Sequence, residues 1–282
     1  MPDNINWETL TRNPDPREER KEPPKEQNWL QKLFAPVLAA GAAVIKFAWP
    51  VLKFLPLVLK TGGSMILSIG AYALLYGWKF AAGFVLLMLV HELGHAAAAR
   101  AFGIPVSAPV FIPFMGAAVI LQSLPPNAWV AAVVGLAGPF IGGVGGGLFC
   151  YMVGNATGSP LAYALASAAF LLNLFNLVPV QPFDGGRVVP AISPWLSLLG
   201  IVLMVPWLAM NLSGIRIYLL ILVLMSIPRV WRQFKNRNDP QNRQYFELEA
   251  WQQAVIGLGY FGTIFFLAVA MSVTQRILPS LP

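Results

Sequence analysis

The feature that most constrains this chain is a long absence of charge. Between Arg100 and Asp184 lie 83 residues without Asp, Glu, Lys or Arg, and another 18 such residues separate Lys60 from Lys79. About 20 consecutive apolar residues are enough to cross the hydrocarbon core of a bilayer as a helix. Only 11% of the 282 residues are charged, whereas soluble domains carry about 25%. The sequence therefore predicts an all-α polytopic membrane protein.

Apolar windows predict about six to seven transmembrane helices. They lie at 61–78, 80–101, 127–153, 160–180, 195–213, 214–231 and 250–273. In the sixth, only 12 residues separate Arg216 from Arg229, so both side chains would have to reach the headgroups. Residues 104–121 are apolar but rich in proline, glycine and β-branched residues. This composition predicts a re-entrant loop or short β-hairpin packed against the bundle.

The formal net charge of +7 could suggest a nucleic-acid partner, but the basic residues stand beside the apolar spans. Such placement is typical of membrane proteins whose basic loops face the cytoplasm and attract anionic lipids. We therefore expect no nucleic acid, a cytoplasmic N-terminus and contacts with anionic lipid. The first residues lack the pattern of a cleaved signal peptide. The single cysteine, Cys150, excludes an internal disulfide and a cysteine-based metal site.

Two histidines and a glutamate interrupt the second predicted span in the motif HELGH. His91 and His95 are the only histidines of the chain, and positions i and i+4 of a helix project from one face. Two neutral imidazoles so placed can ligate one zinc ion, while Glu92 can take a proton from metal-bound water. A charged residue at mid-bilayer costs roughly 2.5–3.5 kcal/mol. A bound metal offsets that cost, whereas packing in an apolar helix does not.

A tetrahedral zinc site in a hydrolase needs a third protein ligand and an open position for water. Between Glu26 and Asp239 the only acidic residues are Glu92 and Asp184. Asp184 follows the fourth predicted span, and counting spans outward and back brings it to the same side as the histidines. We therefore predict that Asp184 is the third ligand; the alternative is that DGG at 184–186 is an ordinary turn.

Glycines recur in GLAGPFIGGVGGG at 135–147, where Gly138, Gly142 and Gly146 follow small-xxx-small spacing. No predicted strand precedes this run, so the sequence context of a phosphate-binding loop is missing. We predict that these glycines permit close packing between helices.

The motifs and their order resemble the site-2 protease family of intramembrane zinc metallopeptidases. HELGH at 91–95 is similar to the first signature of that family, and NLVPVQPFDGG at 176–186 is similar to the second. GLAGP at 135–139 looks like the family pattern of the intervening span. The resemblance covers about residues 61–190.

By this resemblance, His91, His95 and Asp184 bind one Zn²⁺ per chain, and Glu92 is the catalytic acid and base. Four other matching positions are given substrate-binding or structural roles: Asn176, Pro179, Gly185 and Gly138. The resemblance implies a zinc metalloendopeptidase that cleaves transmembrane helices of membrane-protein substrates in regulated intramembrane proteolysis. Water would reach its site from the cytoplasmic side.

The chain departs from some members of that family. The segment at 154–159 is too short for a peptide-binding PDZ domain, and Phe183 stands where many members carry leucine. Few residues follow position 232, so a nucleotide-binding CBS pair is not expected beside the last apolar segment. Two other functions stay open, a membrane metal-ion transporter and a non-proteolytic membrane zinc protein. The expected location is the bacterial inner membrane, or an organelle membrane in a eukaryote.

The predicted organisation follows from these patterns. It comprises a disordered cytoplasmic tail at 1–28, an amphipathic interfacial segment at 29–60, a catalytic transmembrane core at 61–190, additional transmembrane helices at 191–232, a basic polar cytoplasmic loop at 233–249, and a C-terminal transmembrane helix and tail at 250–282. For the second of these segments, a loosely structured lead-in is the alternative.

Overall fold

The computed structural model describes residues 61–210, 214–236 and 239–278, all within one compact unit, Pro56–Pro282. The predicted tail at 1–28 and the predicted amphipathic segment at 29–60 lie outside the described residues. The described part of the chain is mostly helical, which agrees with the predicted all-α class.

Most helices follow one another through short connections, but the segment 102–127 between α2 and α3 is long and contains a β-hairpin. The described α-helices are α1 (Thr61–Tyr76), α2 (Trp78–Ala101), α3 (Ala128–Pro139), α4 (Leu148–Thr157), α5 (Pro160–Asn176), α6 (Gly185–Ile192), α7 (Pro194–Ala209), α8 (Gly214–Lys235), α9 (Pro240–Phe246) and α10 (Ala250–Ile277). A π-helix, Phe140–Gly147, joins α3 to α4 in one continuous rod, Ala128–Thr157. Among the described residues, α2, this rod and α10 are long and apolar enough to cross a membrane. The protein is therefore a helical membrane protein.

Helix ends lie where the sequence supplies caps. Asn127 caps α3, because its Oδ1 accepts a hydrogen bond of 3.0 Å from the Val130 N–H. Gly158 ends α4 with a φ of 66°, a left-handed conformation that glycine adopts without strain. Ser159 then caps α5, with Pro160 as its first helical residue. The connection of two residues makes α4 and α5 antiparallel neighbours.

Several predicted span boundaries differ from the structure; the helices predicted to end at 153, 231 and 273, for example, end at 157, 235 and 277. Two other differences have a clear local cause. α1 gives way to α2 at Gly77, whose φ is 77°, and not at Lys79, because the left-handed glycine breaks the helix whereas a lysine fits in the first turn. α5 ends at Asn176 rather than at 180, since Pro179 lacks the N–H that a continuing helix needs.

A short β-hairpin lies between α2 and α3. β1 (Val110–Ile112) pairs antiparallel with β2 (Gly116–Ala118), with Phe111 opposite Ala117. The Phe111 N–H donates a 3.1 Å hydrogen bond to Oγ of Ser64 and so attaches the hairpin to α1. Both strands lie within residues 104–121, for which composition predicted a re-entrant loop or short β-hairpin. Whether this segment enters the membrane stays a prediction.

The buried core lies between the rod, α5, α6 and α10. Its buried side chains include Phe170, Val188 and Leu267. The outer face of α10 is apolar yet exposed, with Leu258 76% and Phe265 72% accessible. Contiguous exposed apolar surface of this kind marks a face that meets lipid or a partner rather than water.

The glycines of the rod allow it to approach α2 and α5 closely. A Cβ on Gly142 would lie 2.7 Å from Oδ1 of Asn173 and 3.0 Å from Cβ of His91. One on Gly146 would lie 3.0 Å from a methyl carbon of Leu87. These distances are shorter than van der Waals contact, so any larger residue would push the helices apart. The predicted packing role of these glycines is confirmed.

Candidate metal centre

α2 places two histidines on its buried face. His91 and His95 are one helical turn apart and only 5% and 6% exposed. Their ring centroids lie 4.7 Å apart, and their Nε2 atoms are separated by 3.1 Å. The predicted juxtaposition of the two imidazoles on one helix face is therefore present.

Asp184 reaches this pair from the connection between α5 and α6. Its Oδ2 lies 3.2 Å from Nε2 of His91 and 3.1 Å from Nε2 of His95. The carboxylate is buried. The three side chains form a group whose ligand atoms lie within 4.8 Å of one another. Residues 89 positions apart in sequence, His95 and Asp184, thus meet as the span count predicts.

The second nitrogen of each imidazole identifies its tautomer. Nδ1 of His91 lies 2.7 Å from Oδ1 of Asn173, and Nδ1 of His95 lies 2.7 Å from the Val134 carbonyl oxygen. The orientation of the Asn173 amide is set by its own Nδ2, which donates a 2.7 Å hydrogen bond to the Ala169 carbonyl. Both partners of Nδ1 are therefore acceptors, so both Nδ1 atoms carry a proton, and in the neutral ring, the form that binds metal, Nε2 presents a lone pair.

Three electron-pair donors consequently face one another at 3.1–3.2 Å in a buried site. Such an arrangement is repulsive unless a proton or a metal ion lies between the atoms. Two ligands bound tetrahedrally to zinc at about 2.0–2.1 Å are about 3.3–3.4 Å apart, close to the spacing in this structure. The donor set, two imidazoles and a carboxylate with oriented outer partners, fits zinc.

Two glycines allow the Asp184 connection to fold tightly. A Cβ on Gly185 would overlap the carbonyl oxygens of Leu177 and Val178, and one on Gly186 would lie 2.5 Å from the Val180 carbonyl carbon. These neighbours are backbone atoms, so no side-chain rotation could relieve the overlap. At the DGG sequence the backbone therefore packs directly against the backbone of residues 177–180 and so positions Asp184. It is not only a solvent-exposed turn.

A face of α3 made of small residues closes the centre on another side. A Cβ on Gly138 would overlap Nε2 and the adjacent carbons of the His95 ring. One on Gly135 would lie 3.4 Å from the Asp184 carbonyl oxygen. GLAGP thus lies directly against the metal centre, and a side chain at Gly138 would displace a candidate ligand.

Glu92 lies on α2 beside the histidines and is 7% exposed. Its Oε2 accepts a 2.9 Å hydrogen bond from the N–H of Val119, which directly follows β2. Within the described part of the chain Oε1 has no hydrogen-bond partner. The hairpin therefore fixes one carboxylate oxygen and leaves the other available.

The two remaining predicted positions are Asn176, the last residue of α5, and Pro179 in the connection that follows it. Asn176 is half-buried, and among the described residues its side chain makes no hydrogen bond. Pro179 packs against Gly200 of α7, where a Cβ would lie 2.7 Å from the proline ring. Sequence reasoning missed Asn173, one turn before Asn176, although a polar amide in an apolar helix is the signal that could have identified it.

The comparisons place the matched segment among metallopeptidases. The model of Peptidase family M50 matches residues 79–159. A protein of Methanocaldococcus jannaschii named a zinc metalloprotease is 32% identical over 116 residues, which are 39% of this chain and 33% of that protein. The Rip3 protein of Mycobacterium tuberculosis, provisionally named a zinc metalloprotease, is 31% identical over 160 residues, 52% of this chain and 40% of its own.

The chain thus spans less than half the length of the curated relatives that it matches. The family match runs from the start of α2 to the connection before α5, and so includes HELGH and GLAGP. The resemblance to the site-2 protease family is confirmed over this segment, and the names of the relatives agree with zinc as the metal.

Proposed function

We propose that this chain is an intramembrane zinc metalloprotease of the site-2 protease family that hydrolyses peptide bonds in transmembrane helices of membrane-protein substrates. The observation that carries the proposal is the convergence of three buried electron-pair donors, from His91, His95 and Asp184. The helix that carries both histidines and Glu92 is long and apolar enough to cross a membrane. The relatives that match this segment are named zinc metalloproteases.

In this proposal His91, His95 and Asp184 hold the metal. A bound zinc ion supplies a Lewis acid and lowers the pKa of bound water to about 7. Asn173 and the Val134 carbonyl keep both imidazoles in the tautomer that offers Nε2. They accept the Nδ1 protons at 2.7 Å, and such outer partners raise the basicity of the ligand nitrogen.

Glu92 is the proposed general base and acid. Its free Oε1 takes the proton of the attacking water and gives it to the leaving amine. The Val119 N–H, bound to Oε2 at 2.9 Å, keeps the carboxylate from rotating away. A charged carboxylate in an apolar helix is costly to bury, and this hydrogen bond offsets part of that cost.

We propose that the site lies in the cytoplasmic half of the membrane. His91 and His95 occur in the second half of α2, and the N-terminal region would be cytoplasmic, with six to seven spans and the hairpin re-entering the bilayer. Asn176 and Pro179 would bind substrate or shape its entrance, while Gly185 and Gly138 would be structural. A bacterial inner membrane and regulated proteolysis of single-span substrates remain parts of the same proposal.

The rival functions predict other features. A metal-ion transporter needs ligands at several points along a path, whereas the described residues contain one group able to hold a metal, His91 with His95 and Asp184. A non-proteolytic zinc protein has no use for a carboxylate beside the metal with one oxygen free. The intact Glu92 therefore favours a hydrolase.

The test measures metal and cleavage separately in the purified full chain. Glu92→Gln keeps the size of the side chain but cannot accept a proton, so we expect normal zinc content and cleavage of a fluorescent single-span reporter lowered by about 10²–10⁴-fold. Asp184→Ala should lose zinc. Glu249→Gln, at the start of α10, is the matched control and should keep both properties. Cleavage at the wild-type rate by Glu92→Gln, or zinc-loaded wild type that cleaves none of a panel of reporters, would contradict the proposal.

A further inference from the structure

A cavity of about 380 Å³ lies outside the metal centre. It forms where the joint between α6 and α7 faces the end of α8, α9 and the start of α10, and we call it the α9 cavity. Among the described residues its lining shares none with the metal centre. Cavities that hold small molecules measure about 300–1,000 Å³, so the α9 cavity has room for such a ligand.

Opposite charges line the α9 cavity without neutralising each other. Arg243 of α9 and Glu247 just after it both belong to the lining. Both residues are exposed, and in the described part of the chain no ion pair joins them. The amides of Asn242 and Gln253 also line the cavity and offer both donors and acceptors. A ligand that carries one positive and one negative group would satisfy this lining.

The rest of the wall is apolar and aromatic. Trp195 at the start of α7 packs edge-to-face against Phe234 at the end of α8, with ring centroids 5.0 Å apart. Phe246 and two prolines, Pro190 and Pro194, complete this side. The α9 cavity therefore combines an aromatic wall with a zwitterionic rim, which is the pattern expected for an amphiphile.

The position of the cavity indicates where its ligand comes from. It lies at the ends of three long helices, since α7 and α10 begin there and α8 ends there. The last turn of α8 carries Arg232 and Lys235, and Trp195 and Trp251 are 61% and 59% exposed. Tryptophan and basic residues collect at the boundary between lipid and water. We therefore infer that the ligand of the α9 cavity is a molecule found at the level of the lipid headgroups.

We propose that the α9 cavity binds a zwitterionic glycerophospholipid with a primary amine, of the phosphatidylethanolamine class. The phosphate accepts hydrogen bonds from Arg243, and the ammonium donates to Glu247. The glycerol and the first methylene groups lie against Trp195 and Phe234. The amides of the rim satisfy the remaining phosphate and ammonium groups.

Other lipid classes fit this lining less well. An anionic lipid without an amine would pair with Arg243 but bring its charge close to Glu247. A choline headgroup can lie on an aromatic ring, but its quaternary ammonium has no N–H to donate to the carboxylate. The primary amine is the group that satisfies both the charge and the hydrogen bonds of Glu247.

The test uses the purified, delipidated full chain in detergent and native mass spectrometry with equal amounts of dioleoyl phosphatidylethanolamine, phosphatidylglycerol and phosphatidylcholine. We expect the ethanolamine lipid to be retained about tenfold over the other two, the factor that one charge-assisted hydrogen bond provides. Glu247→Gln should abolish this preference, and Arg243→Gln should weaken retention of all three lipids. Glu249→Gln and Arg232→Gln, outside the cavity, are matched controls and should retain the wild-type preference.

The measurement does not involve proteolysis, so it stands or fails independently of the proposed enzyme activity. The wild-type competition needs no variant, and the thermal unfolding midpoint of each variant reports whether it is folded. A preference for phosphatidylglycerol or phosphatidylcholine in the wild type would overturn the proposal. Equal binding of free phosphoethanolamine and of the lipid would also overturn it, because the site would then take a soluble small molecule. Retention of no lipid would do the same.

Discussion

At the scale of single residues, the orientation of the two imidazoles is decided outside the HELGH motif. Asn173 from α5 and the Val134 carbonyl from α3 accept the Nδ1 protons at 2.7 Å. Without these acceptors either nitrogen could carry the proton, and the lone pairs would not have to converge on Asp184. The metal-binding ability of the motif therefore depends on two helices that the motif does not include.

Replacing Asn173 by leucine tests this dependence. The variant keeps a side chain of similar size but removes the acceptor for His91 Nδ1, so we expect zinc affinity to fall by about 10–100-fold. Titration of the purified full chain against a competing chelator measures the effect. Asn176→Leu is the matched control, since that side chain makes no hydrogen bond among the described residues, and its zinc affinity should stay at the wild-type level. Equal losses in both variants would count against the assigned role of Asn173.

Residue identity alone predicted the juxtaposition of His91, His95 and Asp184, because few other groups could ligate a metal in so apolar a chain. It could not rank Asn173 against Asn176. The two amides lie one turn apart on α5, and only the packing of α5 against α2 decides which one meets a histidine. The direct contact of Gly138 with the His95 ring was equally hidden, because spacing indicates close packing but not which side chain is approached.

At the scale of elements, the β-hairpin is joined to the centre through one main-chain hydrogen bond. Val119 N–H donates to Oε2 of Glu92 at 2.9 Å, while the other end of the hairpin is held by Ser64 of α1. A movement of the hairpin relative to α2 would therefore reorient the proposed base. Composition predicted an irregular or hairpin segment here, but a side-chain bond from the preceding helix to its backbone leaves no trace in the sequence.

Val119→Pro tests this link, because proline lacks the N–H while the preceding strand residue, Ala118, already has the extended backbone that a following proline prefers. We expect zinc content to be unchanged and kcat for a single-span reporter to fall about tenfold, the effect of one lost charge-assisted hydrogen bond. Val119→Ala keeps the N–H and should retain the wild-type kcat. If both variants cleave at the same rate, the hydrogen bond does not position Glu92.

Boundaries of elements were less predictable than their existence. Apolar windows predicted the span around α2, yet its start is set by the φ of 77° at Gly77, a local property that hydropathy does not record. The π-helix at Phe140–Gly147 also has no hydropathy signal. Five of its eight residues are glycine, which favours the α-helical backbone less than any residue except proline, so a departure from the α-helical hydrogen-bond register costs little there.

At the scale of the whole molecule, the C-terminal helix contributes to the Asp184 connection. The hydroxyl of Tyr260 in α10 donates a 2.5 Å hydrogen bond to the Leu177 carbonyl oxygen, the same atom that a Cβ on Gly185 would overlap. The predicted core at 61–190 ends before α10, because the family motifs end there. Its boundary stays a prediction, but α10 supports the connection from outside that range.

Tyr260→Phe removes this support and leaves the ring in place. We expect the free energy of unfolding to fall by about 1–3 kcal/mol, since a buried carbonyl loses its partner, and zinc to dissociate faster in the presence of excess chelator. Tyr163→Phe is a matched control. Tyr163 lies at the start of α5, and its hydroxyl donates a comparable 2.6 Å hydrogen bond to Oδ1 of Asn155 in α4, which the variant loses. It should leave zinc dissociation unchanged. Faster dissociation in both variants would indicate a general loss of stability.

Thiol labelling tests the predicted orientation. In a Cys150→Ala background, single cysteines at the exposed positions Ala156 and Lys235 are treated with an impermeant reagent in intact and in inverted membranes. With a cytoplasmic N-terminus, the cysteine at position 156 should react only from outside and the cysteine at position 235 only from inside. The opposite pattern would reverse the orientation, and labelling of both from one side would contradict the number of spans.

The separation between the two halves of the metal centre also sets the order in which the protein matures during its synthesis. His91 and His95 are synthesised 93 and 89 residues before Asp184. Asn173, which orients His91, also belongs to the later part. An unfinished chain that contains only α1 and α2 thus holds an incomplete ligand set, without the Asn173 and Val134 acceptors that orient the imidazoles. The metal centre cannot form until α5 is complete and the connection that follows it has folded back against α2.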